Sequence, residues 1–298
     1  MTSSAVTSEV LPRSRSSASV PGEAPPAYAR TIRNAAVRAL QEEVITYPKP
    51  GLVSLVDTGS HVDMDATTFA RSTLALRHYF SRIAVAGAER APFGVLRRLG
   101  IEAEIDMLRA THGINTHRGA IFNLGLLAAA AGFRAQHGAG TGTDTVALGA
   151  IVQACWGDDL ARHRRDAASH GSRASAMHGV GGAKAEALGG FPSLYEVALP
   201  AYRSVLAAGL SANQARVQAF FALLARLDDT NLLHRGGGAG LAFAQTEARA
   251  FLAAGGVHVP AWRTRAIALH RAFCARRLSP GGSADLLAAC LLVHRIEG

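Results

Sequence analysis

The apolar residues of this chain recur at intervals of three and four almost without interruption from Tyr28 onward. That spacing places them on one face of an α-helix. Ile32, Ala35, Ala36, Ala39, Leu40 and Val44 form the first such stripe, and Pro48 and Pro50 stop it. Asp65 is placed to cap a second helix carrying Phe69, Leu76, Phe80 and Ile83. A third is expected over about Ile101 to Ala110, with Ile101, Ile105 and Leu108 aligned. Thr116 is placed to cap a fourth, the apolar run through Ala130. Ser211 and Gln214 make a capping box before Val217, Phe220, Phe221 and Leu224, and Ser283 is placed to cap a last helix ending near His294. Period-2 alternation is not evident, and Ala and Leu dominate the periodic segments. The pattern predicts an all-α fold, a single compact multi-helix domain of roughly ten helices over residues 27–298. Residues 1–26, rich in Ser, Ala and Pro, read as a flexible N-terminal tail. The glycine-rich stretch at 138–142 reads as an interhelical loop.

Composition narrows the class. Of 298 residues 49% are hydrophobic and 18% charged, enough for a large core and too apolar for a disordered chain. The longest apolar run, Ala120 to Phe133, is interrupted by Asn123 and falls short of the roughly 18 residues a membrane span needs. Three cysteines without a CxxC pair argue against a disulfide framework and a cysteine zinc site, and fit a cytoplasmic protein. No apolar signal segment opens the chain. The net charge of +9 suggests a polyanionic partner: nucleic acid, membrane headgroups or a polyphosphate ligand. Aromatics at 6% supply few stacking platforms for single strands.

Carboxylates in unexpected places carry the functional reading. Glu43 lies on the stripe that should face the core, near a helix C-terminus where the macrodipole disfavours it. It needs a cation, a metal or strong donors; Lys49, in the Tyr47-Pro48-Lys49-Pro50-Gly51 turn, is one candidate partner. Asp228 ends another apolar stripe after Phe221 and Leu224, with Asp229, Thr230 and Asn231 following. Two adjacent carboxylates at a helix C-terminus would be relieved by Mg²⁺, and a solvated helix end is the plainer alternative. In His61-Val62-Asp63-Met64-Asp65, Asp65 has capping as its use while Asp63 has none. Asn115-Thr116-His117-Arg118-Gly119 opens a long apolar helix, so free N–H groups and Arg118 there can bind an anion, with Gly119 permitting close approach. Simple capping with His117 and Arg118 on the surface is the alternative. Only two lysines, Lys49 and Lys184, stand among 31 basic residues, and both fall in singled-out segments, Lys184 beside Glu186 after the loop at 179–182. Asp285, after Ser279-Pro280-Gly281-Gly282-Ser283, reads as a first-turn acid stabilising a helix dipole.

At these segments the sequence resembles the triphosphoribosyl-dephospho-CoA synthase family (CitG/MdcB). The motifs are Glu43-Val44 through Pro48-Lys49-Pro50-Gly51-Leu52-Val53, the 61–65 group, Gly100-Ile101-Glu102-Ala103-Glu104 with Met107, and Asn115 through Phe122. They continue with Glu186-Ala187, Gly190-Phe191-Pro192-Ser193, Asp228-Asp229-Thr230-Asn231, and Ser279 through Leu287. They run in order from about residue 40 to 290, over nearly all of the helical region. Where Lys184 stands the family commonly has arginine. Length and motif details are more similar to the malonate decarboxylase branch than to the citrate lyase branch.

The resemblance implies a glycosyl transfer from ATP to 3′-dephospho-CoA. The product is 2′-(5″-triphosphoribosyl)-3′-dephospho-CoA, with adenine released. It would pass to a phosphoribosyl-dephospho-CoA transferase acting on an acyl carrier protein. A homodimer is left open, and neither membrane nor nucleic acid is an expected partner. Residue chemistry placed on the family motifs gives the expected roles. Asp228 and Asp229, with Asp63 as a further ligand, hold Mg²⁺ on the triphosphate. Lys49, Asn115, Thr116, Arg118, Gly119, Lys184, Glu186 and Asn231 bind substrate and phosphates. Glu43 or Glu104 is the general base or cation stabiliser, and His117 the acid for adenine departure. Two rivals remain: a Mg²⁺-dependent nucleotide or ADP-ribosyl hydrolase, and a basic helical nucleic-acid-binding protein. The first predicts turnover of ATP alone, the second tight, salt-dependent binding to DNA or RNA.

Overall fold

The computed structural model describes residues 24–138, 146–163 and 181–298. The expected tail lies almost wholly outside the described residues, as do most of the 138–142 loop, Arg164 and Arg165, and the first half of the 179–182 loop. Among the described residues there are eleven α-helices and no strand, in one compact domain.

The first stripe does what its spacing dictates. Helix α1 (Ala27–Ile45) buries Ile32, Ala35, Ala36, Ala39, Leu40, Val44 and, with them, Glu43. Helix α2 (Ala66–Ala88) starts in a capping box in which the Asp65 carboxylate accepts the Thr68 N–H at 2.8 Å. Helix α3 (Phe93–Ala110) begins eight residues earlier than the sequence suggests and turns another face inward. Phe93, Leu96, Ala103 and Met107 are buried, while Ile101 and Ile105 stay 42% and 43% exposed. The two isoleucines marked the wrong stripe: the inward face is the one that carries Phe93, Leu96, Ala103 and Met107.

Helix α4 (Arg118–His137) is buried nearly all round and is packed against α2. Gly87 and Gly132 make this approach possible. A Cβ on either would overlap a backbone carbonyl of the other helix, that of Ala129 or Ala84. Thr116 does not cap α4: its hydroxyl donates to Ser72 Oγ at 2.8 Å, and Asn115 Oδ1 instead accepts the Arg118 N–H at 3.2 Å.

Helices α5 (Leu148–Arg162) and α6 (Gly182–Leu188) form one corner. A π turn (Ser193–Ala198) leads into α7 (Leu199–Ala207). Helix α8 (Ala212–Leu224) opens with the expected Ser211–Gln214 capping box. Helix α9 (Thr230–Ala253) is kinked at Gly237, and a short 3-10 turn separates it from α10 (Trp262–Ala275). Helix α11 (Gly281–Glu297) buries ten of its residues between α1, α4 and α8. It starts two residues before Ser283 and runs past His294, so Ser283 lies inside the helix. No helix among the described residues is long and apolar enough to cross a membrane.

Candidate active site

The last turn of α1 delivers Glu43 into the interior, where it is 5% exposed. Lys49 comes back from the following turn, 1% exposed, and its ammonium bonds directly to Glu43 Oε1. The turn is held from three sides. Arg216 Nε donates to Thr46 Oγ1 at 2.8 Å, and His270 Nδ1 lies 2.9 Å from the Lys49 carbonyl. Gly51, at φ 70°, sits where a Cβ would overlap the Leu278 carbonyl. Burial lowers the Lys49 ammonium from its ordinary value, and the Glu43 carboxylate opposes that shift. The pair expected as one reading of these two residues is therefore present.

His117 stands at the start of α4, 3% exposed. Its backbone N–H donates to Met107 Sδ at 3.2 Å, and Phe69 meets its ring edge-on at 5.0 Å. Thr116 donates to Ser72, whose hydroxyl is 2.6 Å from His117 Nδ1. The other ring nitrogen, Nε2, is buried without a hydrogen-bond partner. Burial, aided by the nearby Lys49 charge, pushes the His117 pKa down to about 3. At neutral pH the ring is uncharged and has no imidazolium proton to give. Arg118 points outward and pairs with Glu104 at 2.9 Å, both about one-third exposed. Glu104 thus belongs to the rim, and Glu43 to the interior.

Asp228 and Asp229 require a correction. They do not close a helix: α8 has already ended, and Asp229 is the N-cap of α9. Asp229 is 1% exposed and Asp228 is on the surface, within 3.4 Å of Gln245 Nε2. The inward face predicted for Asp228 is Asp229's. Asp229 Oδ1 accepts the N–H groups of Asn231 and Leu232 at 2.9 and 3.4 Å. Its Oδ2 accepts both the N–H and the hydroxyl of Ser283 at 2.8 and 3.0 Å. One carboxylate thus ties the N-termini of α9 and α11 together. Burial raises its pKa, and these hydrogen bonds pull it back.

The residue that the sequence reading undervalued is Asp285. It lies beyond the first turn of α11, half-buried, and accepts the backbone N–H of Ala120 at the start of α4. Burial raises its pKa well above its ordinary value, and the Glu43 and Asp229 charges raise it further. Gly119 is required here, because a Cβ would overlap the Asp285 carboxyl. The close approach foreseen at Gly119 is made by this side chain. Asp285 shares a helix face with Ala288, Ala289 and Leu292, all buried. The rule that singled out Glu43, a carboxylate on an apolar stripe, applies to it equally. Ser72, His270 and Ser283 carried no comparable signal, since each acts through a partner distant in sequence.

The remaining candidates lie elsewhere or serve the fold. Lys184 Nζ donates to the carbonyls of Ala161 and His163 at 3.1 and 2.7 Å, closing the end of α5. Glu186 accepts the N–H and hydroxyl of Ser193 at 3.2 and 2.5 Å. Asn115 is exposed, and Asn231 rests against Gly281 beside the start of α11. Asp63 is exposed, with its carboxylate 3.7 Å from His61 Nδ1. Asp63, Asp228 and Asp229 are not gathered around one point. Among the described residues no three His, Cys, Asp or Glu side chains form a metal-ligating group. With Asp228 on the surface and both Asp229 oxygens engaged, this trio does not fit a magnesium ion.

The described site is thus a buried carboxylate–ammonium pair close to His117 at the start of α4 and Asp285 near the start of α11, on an all-α scaffold. The chain belongs to the CitG family, described as ATP:dephospho-CoA triphosphoribosyl transferase, which matches residues 29–298. It is accordingly a transferase of a family that uses ATP and dephospho-CoA. It is 40% identical over 261 residues to a probable 2-(5''-triphosphoribosyl)-3'-dephosphocoenzyme-A synthase of Acinetobacter calcoaceticus, covering 87% of this chain and 88% of that one. A protein of the same printed name from Pseudomonas paraeruginosa is 42% identical over 270 residues, covering 89% and 90%. The 2-(5''-triphosphoribosyl)-3'-dephosphocoenzyme-A synthase of Pectobacterium atrosepticum is 40% identical over 266 residues, 86% of each chain. No solved structure gives a significant match.

Proposed function

We propose that this chain joins the C1′ of ATP's ribose to the 2′-hydroxyl of 3′-dephospho-CoA, expelling adenine and keeping the triphosphate whole. The observation that carries the reading is the placement of Glu43, paired with Lys49, close to Asp285 near the start of α11, with His117 at the start of α4 beside Lys49. Such a transfer needs a base for the acceptor hydroxyl and a carboxylate to stabilise an oxocarbenium-like ribose. Glu43 is suited to both, with Lys49 fixing its orientation; Glu104, on the rim, suits neither as well. Direct displacement inverts C1′, turning the β-linked ribose of ATP into an α-linked product.

The triphosphate acts as a handle. The exposed start of α4, with Asn115, Arg118 and Gly119, and Asn231 beside α11 are the groups we assign to phosphate and substrate contacts. Mg²⁺ accompanies the triphosphate as its counter-ion, and no step is assigned to it on the protein. The motif details that resemble the malonate decarboxylase branch lead us to place the product in the prosthetic group of that enzyme's acyl carrier subunit. Both substrates are cytoplasmic metabolites, and we place the protein there.

The deciding experiment is mass spectrometry of the protein incubated with ATP, dephospho-CoA and Mg²⁺. The expected outcome is a new triphosphoribosyl adduct with one adenine released per adduct. Adenine or nucleotide products from ATP alone at the same rate would favour a hydrolase instead. Chelation by EDTA should stop the reaction, and added Mg²⁺ should restore it.

A further inference from the structure

We propose that Asp285 is a catalytic residue of this transfer, its carboxyl group giving adenine the proton it needs as the C1′–N9 bond breaks. The proposal rests on the transfer reading above. Its chemistry balances as two proton movements around one substitution. The 2′-hydroxyl of dephospho-CoA loses its proton to Glu43 and its oxygen bonds C1′. The electron pair of the C1′–N9 bond leaves with adenine, and a ring nitrogen of adenine takes the Asp285 proton. Solvent then returns a proton from Glu43 to Asp285.

Three groups near Glu43 are able to carry a proton. His117 is uncharged, with Nδ1 against Ser72 and Nε2 enclosed and unpartnered. Lys49 is bonded to Glu43 and 1% exposed. Asp285 alone of the three is half-buried and, among the described residues, stands in no ion pair or side-chain hydrogen bond that would hold its proton. The two buried aspartates also differ in support. Asp229 accepts four hydrogen bonds, from Asn231, Leu232 and twice from Ser283. For Asp285 the N–H of Ala120 opposes burial and two neighbouring negative charges, Glu43 from α1 and Asp229 from the cap of α9. Glu43 is itself paired with Lys49, and Arg118, at the start of α4, is paired outward with Glu104. A carboxyl pushed toward its protonated form, beside a second carboxyl group bonded to an ammonium, is the arrangement by which two acids can divide acid and base work. Gly119 keeps the backbone clear of that carboxyl.

The test compares Asp285→Asn and Asp285→Glu with the unaltered protein, measuring kcat and KM for ATP with dephospho-CoA from pH 5 to 10. Asparagine keeps an acceptor for the Ala120 N–H and has no proton to donate. The expected result is a fall in kcat of roughly 10²–10⁴-fold, with KM for ATP within about threefold and the alkaline limb of the kcat profile lost. Asp285→Glu should keep part of the activity with that limb displaced. Retained kcat in Asp285→Asn, or a lowered kcat with the alkaline limb still in place, overturns the proposal and leaves Asp285 a positioning residue. Should circular dichroism show Asp285→Asn unfolded, the Asp285→Glu profile decides, and an unmoved limb overturns it. Failure of the unaltered protein to release adenine would instead sink the transfer reading itself.

Discussion

Removing the Lys49 ammonium leaves Glu43 as an unpaired charge inside the protein. Breaking a buried pair from one side costs about 3–5 kcal/mol. Lys49→Met should therefore lower the thermal midpoint sharply. Adding Glu43→Gln should recover most of that loss without restoring turnover, as calorimetry and the adenine assay can show. His117 makes a second prediction. Its folded pKa of about 3 lies below the ordinary 6.5, so between those values the unfolded chain binds more protons. The stability tied to its neutral ring is complete above pH 6.5 and is lost as pH falls toward 3. Asp285 contributes with the opposite sign, because a raised carboxyl favours the folded state at low pH. Replacing His117 by Gln should flatten the fall in denaturation midpoint between pH 6.5 and 5, a window where ordinary carboxylates titrate little. Asp228→Asn, at an exposed position, should leave turnover within about threefold; abolished activity would return a metal role to it.

At the scale of elements, the chain's own punctuation located most boundaries. Pro48 and Pro50, Asp65, and the Ser211–Gln214 pair mark ends that depend on residues a few positions apart. Where an end depends on a distant partner, the local signal misled. Thr116 and Ser283 look like caps, yet each turns to a side chain remote in sequence, Ser72 or Asp229. Asp229 was legible as important and illegible in role, because a carboxylate between two helices can end one or begin the next. Lys184 shows the same ambiguity. Its scarcity suggested phosphate chemistry, and its position closes the carbonyl end of α5. Lys184→Met should cost about 1 kcal/mol in denaturant titration and leave KM for ATP unchanged; a raised KM would restore the phosphate role.

For the whole molecule, the 3-and-4 spacing was enough to give the all-α class, since Ala and Leu stripes with glycine and proline between them admit little else. The rest needed three dimensions. Glu43 and Lys49 are close in sequence, so their meeting was foreseeable; Asp285 joins them from more than 200 residues away, and only the burial of α11 against α1 and α4 brings it there. The net charge of +9 raised a nucleic-acid reading that family membership does not need, since the family's substrates are themselves polyphosphates.

Gly119 and Asp285 are in effect a single position divided between two helices. The space beside the glycine's α-carbon is the space the carboxyl occupies, so residue 119 cannot gain a side chain while the aspartate stays. Lineages that enlarge residue 119 should be those that have shortened residue 285, and an alanine at 119 that is ruinous alone should be tolerated once the aspartate is cut back to glycine. Inheritance at the two sites is then coupled by steric exclusion, whatever chemistry the acid performs.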